Sequence, residues 1–209
     1  MTDIIRTYIN NEKLVQAKRK HIAECAAVLF AKQGFDATSL RDISNACSMP
    51  LGSIYNYLST KEDILHFICE TASLDWKPIF KDVLEQHQDA TATELLRMCI
   101  EAWYRYADEV QEQNMFFDRE IRNFSSEDRR TLLQSQASIA FFFEDLLQRG
   151  IKSGEFKIES PVCVAHNILM AGINWGQRRW FLRPRFTLDQ YIKLQSDLII
   201  NSIRADRQP

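Results

Sequence analysis

The chain has 209 residues, 45% of them hydrophobic and 26% charged, with a formal net charge of −2. That is enough for one large domain or two small ones with a real core, in an ordinary soluble composition. No apolar run is long enough to span a membrane, and the polar start MTDIIRTYINNEKL is unlike a signal peptide, so the expected location is the cytoplasm.

Apolar spacing is close to 3.6 residues almost throughout and alternation is nearly absent, which predicts an all-α chain of about nine helices. A first helix runs from about Asn11, with Ile22, Ala26 and Phe30 on one face, and Gly34 supplies its C-terminal stop. Ser39 and Asp42 form a capping-box pattern before a short helix with Leu40, Ile43 and Cys47 inward. Ser48-Met49-Pro50 breaks it, and Leu51, Ile54, Tyr55 and Leu58 fit a third short helix. Thr60 and Asp63 cap a longer one through Leu65, Ile68, Ala72 and Trp76, which Pro78 kinks or ends.

Further on, Thr91 or Thr93 opens a helix carrying Leu95, Cys99, Trp103, Tyr106 and Val110. A shorter helix ends near Ser125, and a long one runs from Glu127 to about Ser153. Pro161 starts the next, expected to reach about Leu182. Thr187 and Gln190 cap the last, striped by Leu188, Tyr191, Ile192, Ile199 and Ile203. The division expected is a first part of short helices over 1–61 and a longer helical part over 62–209.

Charge follows that division. Residues 1–61 hold eight Lys and Arg against five Asp and Glu, whereas 62–209 hold eighteen against twenty-three. Nucleic acid is therefore sought at the basic end. Three short helices with tight connections are the helix-turn-helix arrangement, whose third helix enters the major groove with its first turn. Pro50 loses nothing at a helix start, and Gly52 permits close approach. Tyr55 either packs inward or donates to a phosphate, while Asn56 and Tyr57 are expected on the exposed side. Lys61 opens the next helix, where a cation opposes the dipole and suggests an anionic partner. The run Lys18-Arg19-Lys20 is either a solvated face or a phosphate contact.

The five cysteines (Cys25, Cys47, Cys69, Cys99, Cys163) show no C-x-x-C and are taken to have no neighbouring His at ligand spacing, so they are read as buried free thiols. No metal, cofactor or catalytic residue is expected. His21, His66, His87 and His166 lie on separate predicted helices without an obvious acid or nucleophile partner, and no phosphate-binding glycine loop occurs. The chain is read as a non-enzyme.

Phe30, Gly34, Phe35, Thr38, Ile43, Ala46, Met49, Gly52, Tyr55, Tyr57, Leu58, Lys61 and Leu65, in this order and spacing, resemble the N-terminal domain of the TetR family of bacterial transcriptional regulators. The resemblance implies a homodimer with a three-helix DNA-binding domain over 1–61 and a helical effector-binding and dimerisation domain over 62–209. It also implies that Thr38 and Ser39 touch phosphate, that Tyr55, Asn56 and Tyr57 contact DNA, and that Lys61 meets the backbone. Pro50 and Leu51 stand where the family's polar pair usually stands, and Leu58 replaces a usual Phe. Base reading is therefore expected from Arg41, Ser53 and Asn56, with Leu51 against a thymine methyl.

In the body, Ala165, Gly172 and Gly176 permit close helix contact, so the last two helices are expected to form the dimer interface. Phe141, Phe142 and Phe143 span too wide an arc of helix to share one core. Trp103, Tyr106, Phe116, Phe117, Phe142, Asn167, Met170, Asn174, Trp175 and Arg178 are the candidate lining of a mostly apolar effector pocket. The segment NWGQRRWFLRPRFTLDQY is loosely similar to the same region of TetR-type regulators that sense acyl-CoA thioesters. That likeness implies CoA phosphates at Arg178, Arg179, Arg183 and Arg185; the alternative is helix-end capping by these arginines. The function expected is a repressor released from a palindromic operator by a small apolar or amphipathic effector, an acyl-CoA among the candidates. The alternative is a helical adaptor without sequence-specific DNA binding.

Overall fold

The computed structural model describes residues 12–72 and 77–205. These form two compact units, one of 12–72 with 116–132 and the other of 77–115 with 133–205. Eleven helices lie among the described residues, along with one isolated bridge between Phe156 and Arg204.

The first unit starts with α1 (Glu12–Gln33), whose buried Ile22, Ala23, Ala26 and Phe30 follow the helical period. Gly34 ends it at φ +89°, a left-handed geometry that suits a residue without Cβ, and its N–H returns to the Phe30 carbonyl at 2.9 Å. Then follow α2 (Leu40–Ala46), α3 (Leu51–Tyr55) and α4 (Lys61–Ala72). Ile43, Ile54, Leu58, Ile64 and Leu65 fill the core between them, each no more than 2% exposed. Phe116 and Phe117, from α7 (Gln111–Glu120), and Phe124 are buried in the same core, with the Phe116 ring stacked 6.0 Å from that of Phe30. These phenylalanines, expected in an effector pocket, are core residues of this unit.

The second unit is organised around α6 (Ala92–Glu109), which packs against α5 (Lys77–Gln86), α9 (Pro161–Gln177) and α11 (Leu188–Ile203). Of the two candidate threonines, Thr91 is the N-cap, closed into a capping box with Glu94. Thr93 serves differently. The Glu155 carboxylate accepts from the N–H groups of Ala92 and Thr93, both at 2.9 Å, and from Thr93 Oγ1 at 2.7 Å. An anion thus sits on the positive end of α6. Burial alone would raise the pKa of Glu155, but these hydrogen bonds outweigh it and hold the carboxyl below its usual range.

Two expected boundaries differ. The helix opened by Thr60 ends at Ala72, residues 73–76 (Trp76 among them) lie outside the described residues, and α5 is a separate helix with Pro78 in its first turn. The helix opened by Pro161 ends at Gln177, because Arg178 leaves helical geometry at φ −105°, ψ 25°, and a short α10 (Arg179–Leu182) follows. Hence eleven helices among the described residues where about nine were expected.

The small residues of α9 have an internal use. A Cβ on Gly172 would lie 2.4 Å from Nε1 of the buried Trp103, and one on Gly176 would lie 2.8 Å from the Gln111 Cβ. Ala165 is 1% exposed. These positions let α9 close on its own neighbours, which replaces their reading as dimer contacts. Of the phenylalanine run in α8 (Ser126–Lys152), Phe143 is buried, Phe142 stacks on Phe80 at 4.1 Å, and Phe141 is 63% exposed.

Candidate nucleic-acid interface

Ser39 caps α2 as its sequence predicts: Oγ accepts from the Asp42 N–H at 3.2 Å, and Asp42 Oδ2 accepts from the Ser39 N–H at 2.9 Å. Hydrogen bonds from the Ser39 side chain and backbone hold the Asp42 carboxyl below its usual pKa. The turn after α2 is locked from both directions. Ser44 Oγ donates to the Met49 carbonyl at 2.6 Å, and the Met49 N–H donates to the Ser44 carbonyl at 3.0 Å. Ser48 takes φ 53° within it, an uncommon left-handed geometry for a residue with a side chain. Pro50 then caps α3, its carbonyl accepting from the Ser53 N–H at 2.8 Å.

A helix of five residues cannot hold itself together, so its neighbours hold it. Arg19 Nε donates to the Tyr57 carbonyl at 3.1 Å, tying the end of α3 to α1. This gives the middle residue of the basic run a structural duty. Lys61 Nζ donates to the Phe35 carbonyl at 2.8 Å and lies 4.6 Å from the Phe35 ring centroid. The loop between α1 and α2 thus supplies an internal reason for a cation at the start of α4.

The residues expected to meet DNA separate by burial. Arg41, Pro50, Gly52, Tyr55 and Asn56 are exposed, and Leu51 and Ser53 are half-buried. A Cβ on Gly52 would meet no heavy atom within 4 Å, so nothing within the chain requires glycine there. Thr38 and Tyr57 depart from expectation. Thr38 is 1% exposed; its Oγ1 donates to the Gly34 carbonyl at 2.7 Å and accepts from Gln33 Nε2. Tyr57 is 7% exposed and packs in the core, because it lies beyond the end of α3, where the chain has turned inward. Ser39, Arg41, Leu51, Tyr55 and Lys61 share an open groove of about 610 Å³.

The ten residues expected around an effector fall in different places. Phe116 and Phe117 are in the core just described. Trp103 and Trp175 are each 3% exposed and internally bonded, Trp103 Nε1 to the Leu169 carbonyl at 3.3 Å and Trp175 Nε1 to Asp108 Oδ1 at 2.7 Å. Tyr106, Phe142, Met170 and Asn174 are half-buried, while Asn167 and Arg178 are exposed. Arg183 donates to Asp108 and Gln111, Arg179 pairs with Glu112, and Arg185 donates to the Phe181 carbonyl. Sequence reasoning did not find two hydroxyls, Tyr104 Oη on α6 and Ser196 Oγ on α11, which are buried without a hydrogen-bond partner among the described residues. Burial pushes the Tyr104 phenol well above its usual pKa.

A capped α2, a locked turn and a short α3 with an open outer face define a helix-turn-helix DNA-binding regulator. Residues 22–68 match the family model "Bacterial regulatory proteins, tetR family", and 89–200 match "Tetracyclin repressor-like, C-terminal domain". The chain belongs to the TetR family of transcriptional regulators. It is 25% identical over 192 residues to the HTH-type transcriptional repressor KstR2 of Rhodococcus jostii, covering 90% of this chain and 92% of that one. The TetR family regulator PfmR of Thermus thermophilus superposes with a TM-score of 0.72 at 26% identity, covering 86% and 97% of the two chains. AibR, solved in complex with isovaleryl coenzyme A and operator DNA, superposes with a TM-score of 0.68 at 22% identity, covering 87% and 97%. No helix among the described residues is long and apolar enough to cross a membrane.

Proposed function

We propose that the chain is a cytoplasmic, ligand-responsive repressor that binds a palindromic operator as a homodimer and is released by a small apolar or amphipathic effector. The observation that carries the DNA reading is the outward face of α3, where Pro50, Gly52, Tyr55 and Asn56 stand exposed on a helix anchored from behind. Arg41 and Ser39 extend that face along α2. Lys61 can contact phosphate only by sharing or leaving its bond to the Phe35 carbonyl.

Dimerisation through the last two long helices is supported by side chains they leave uncovered: Val162 on α9, and Leu194 and Leu198 one turn apart on α11, each more than half exposed. Effector binding within the second unit is supported by Tyr104 and Ser196, since a buried hydroxyl without a partner costs about 1–3 kcal/mol and a bound polar group would satisfy it. An acyl-CoA fits an aromatic-rich body, and AibR, of the same fold, was solved with isovaleryl coenzyme A. Of the four arginines assigned to CoA phosphates, Arg179, Arg183 and Arg185 have internal partners, which leaves Arg178 as the strongest candidate. The domain division at residue 61 is part of the same reading.

A gel shift on the gene's own upstream region should show a dimeric complex whose affinity falls steeply with salt. Failure to select any specific DNA from a whole genome refutes the repressor reading. No thermal stabilisation by CoA thioesters of any chain length refutes the acyl-CoA reading alone.

A further inference from the structure

His21 and Cys25 stand one helical turn apart on α1, and Cys47 is the C-cap of α2. One imidazole nitrogen and the two sulfurs lie within 4.8 Å of one another. His21 Nε2 lies 3.2 Å from the Cys47 carbonyl. Cys47 is buried, Cys25 half-buried and His21 exposed, so the cluster is anchored at the bottom and open to solvent through the imidazole.

We propose that His21, Cys25 and Cys47 form a binding site for a thiophilic cation of the Zn²⁺ class, with solvent completing the coordination. Bond lengths of about 2.3 Å to sulfur and 2.0–2.1 Å to nitrogen put tetrahedral ligands roughly 3.6–3.8 Å apart. The three ligand atoms therefore need to close by about 1 Å at most, within reach of rotamer adjustment. The donor set selects the ion: two sulfurs and an imidazole, without a carboxylate, suit Zn²⁺, Cd²⁺ or Cu⁺ and not Mg²⁺, Ca²⁺ or Mn²⁺. Each ligating thiol releases its proton to solvent as its metal–sulfur bond forms, and no electron is transferred.

The position gives the site a consequence. Cys47 immediately precedes Ser48, the left-handed residue of the turn, and Pro50 caps α3 two residues later. An ion held by α1 and the end of α2 pins the segment that aims the recognition helix. The inference does not depend on which DNA or effector the chain binds.

The test uses the full chain, reduced and stripped with a chelator, then titrated with Cd²⁺ while thiolate-to-metal charge-transfer absorption is followed, and with Zn²⁺ against a chromophoric chelator. Wild type and Cys163→Ser, which removes the one exposed cysteine among those described, should each take up one equivalent and melt higher with metal. Cys25→Ser and Cys47→Ser should lose the charge-transfer band. His21→Ala should weaken binding by at least the ~10- to 100-fold that losing an outer hydrogen-bond partner of a ligand costs. If Cys47→Ser unfolds, Cys25→Ser and His21→Ala decide the matter, since both positions are accessible. Undiminished uptake in those two variants, loss of uptake in Cys163→Ser, or a reduced wild type that binds neither metal and forms only a Cys25–Cys47 disulfide in air overturns the proposal.

Discussion

Gly172→Ala separates two roles for the small residues of α9. The added Cβ would sit 2.4 Å from Trp103 Nε1 and 3.0 Å from two further indole atoms. The indole cannot swing aside cheaply, being 3% exposed and bonded to the Leu169 carbonyl. Overpacking of this kind costs about 1–3 kcal/mol, and a displaced indole N–H left unpaired costs about 1–3 kcal/mol more. Alanine returns about 0.8–1 kcal/mol of helix propensity. The net expectation is a loss of about 1–5 kcal/mol, with the melting temperature falling ~2–4 °C for each. In a Trp103→Ala background the space is free, and the same substitution should become stabilising by about 0.8–1 kcal/mol. Thermal melts of the four proteins give the cycle, and sedimentation should show the oligomeric state unchanged. A Gly172→Ala protein that melts as wild type but loses its dimer would refute this account and restore the glycine to a subunit interface.

Two neighbouring tyrosines should respond oppositely to alanine: Tyr57→Ala should lose about 3–5 kcal/mol as a buried aromatic, whereas Tyr55→Ala should keep its melting temperature and weaken operator binding in a gel shift. His66 donates to the buried Asp128, which raises the pKa of the imidazole despite partial burial. The stability this pair contributes is full below about pH 6.5, the unfolded value, and is lost as pH rises through the higher folded value. Melts of wild type should therefore fall toward those of His66→Gln across that window; parallel pH curves for the two proteins would refute the coupling. Glu155→Ala should cost about 1 kcal/mol by leaving the Ala92 and Thr93 N–H groups of α6 without their acceptor. Its folded pKa is lowered, so its contribution is present above about pH 4.3 and disappears as pH falls through the folded value, which an acid melt of wild type against Glu155→Ala measures.

What the sequence displayed well was local. Ser39 with Asp42, Thr91 with Glu94 and Thr187 with Gln190 announce helix starts through a spacing that only a first helical turn satisfies, and all three are closed capping boxes. Gly34 announced a stop for a similarly local reason. Burial past the end of α3 was not legible, because it depends on where the chain turns. Tyr55 and Tyr57 are indistinguishable by composition, yet one is 51% and the other 7% exposed. Phe116 and Phe117 were misassigned for the same reason: a pair of aromatics states its wish for burial but not the core it will join. The one-turn spacing of His21 and Cys25 was not read as a ligand pattern, and only the fold brings Cys47, from the end of another helix, to it.

The recognition element itself follows a different logic from the long helices. At five residues, with a glycine and a proline cap, α3 has almost no intrinsic helical stability. Its placement comes from contacts outside it: Ser44 on Met49 before it, Arg19 on the Tyr57 carbonyl after it, and Ile54 and Leu58 buried beneath. Supports that all lie behind or beside the helix leave its outer residues free of structural duty. Leu51, Ser53, Tyr55 and Asn56 can therefore be exchanged at small cost to the fold, whereas Arg19, Ser44 and Tyr57 cannot. Changes in operator preference should map to the first set, and losses of all DNA binding together with stability should map to the second.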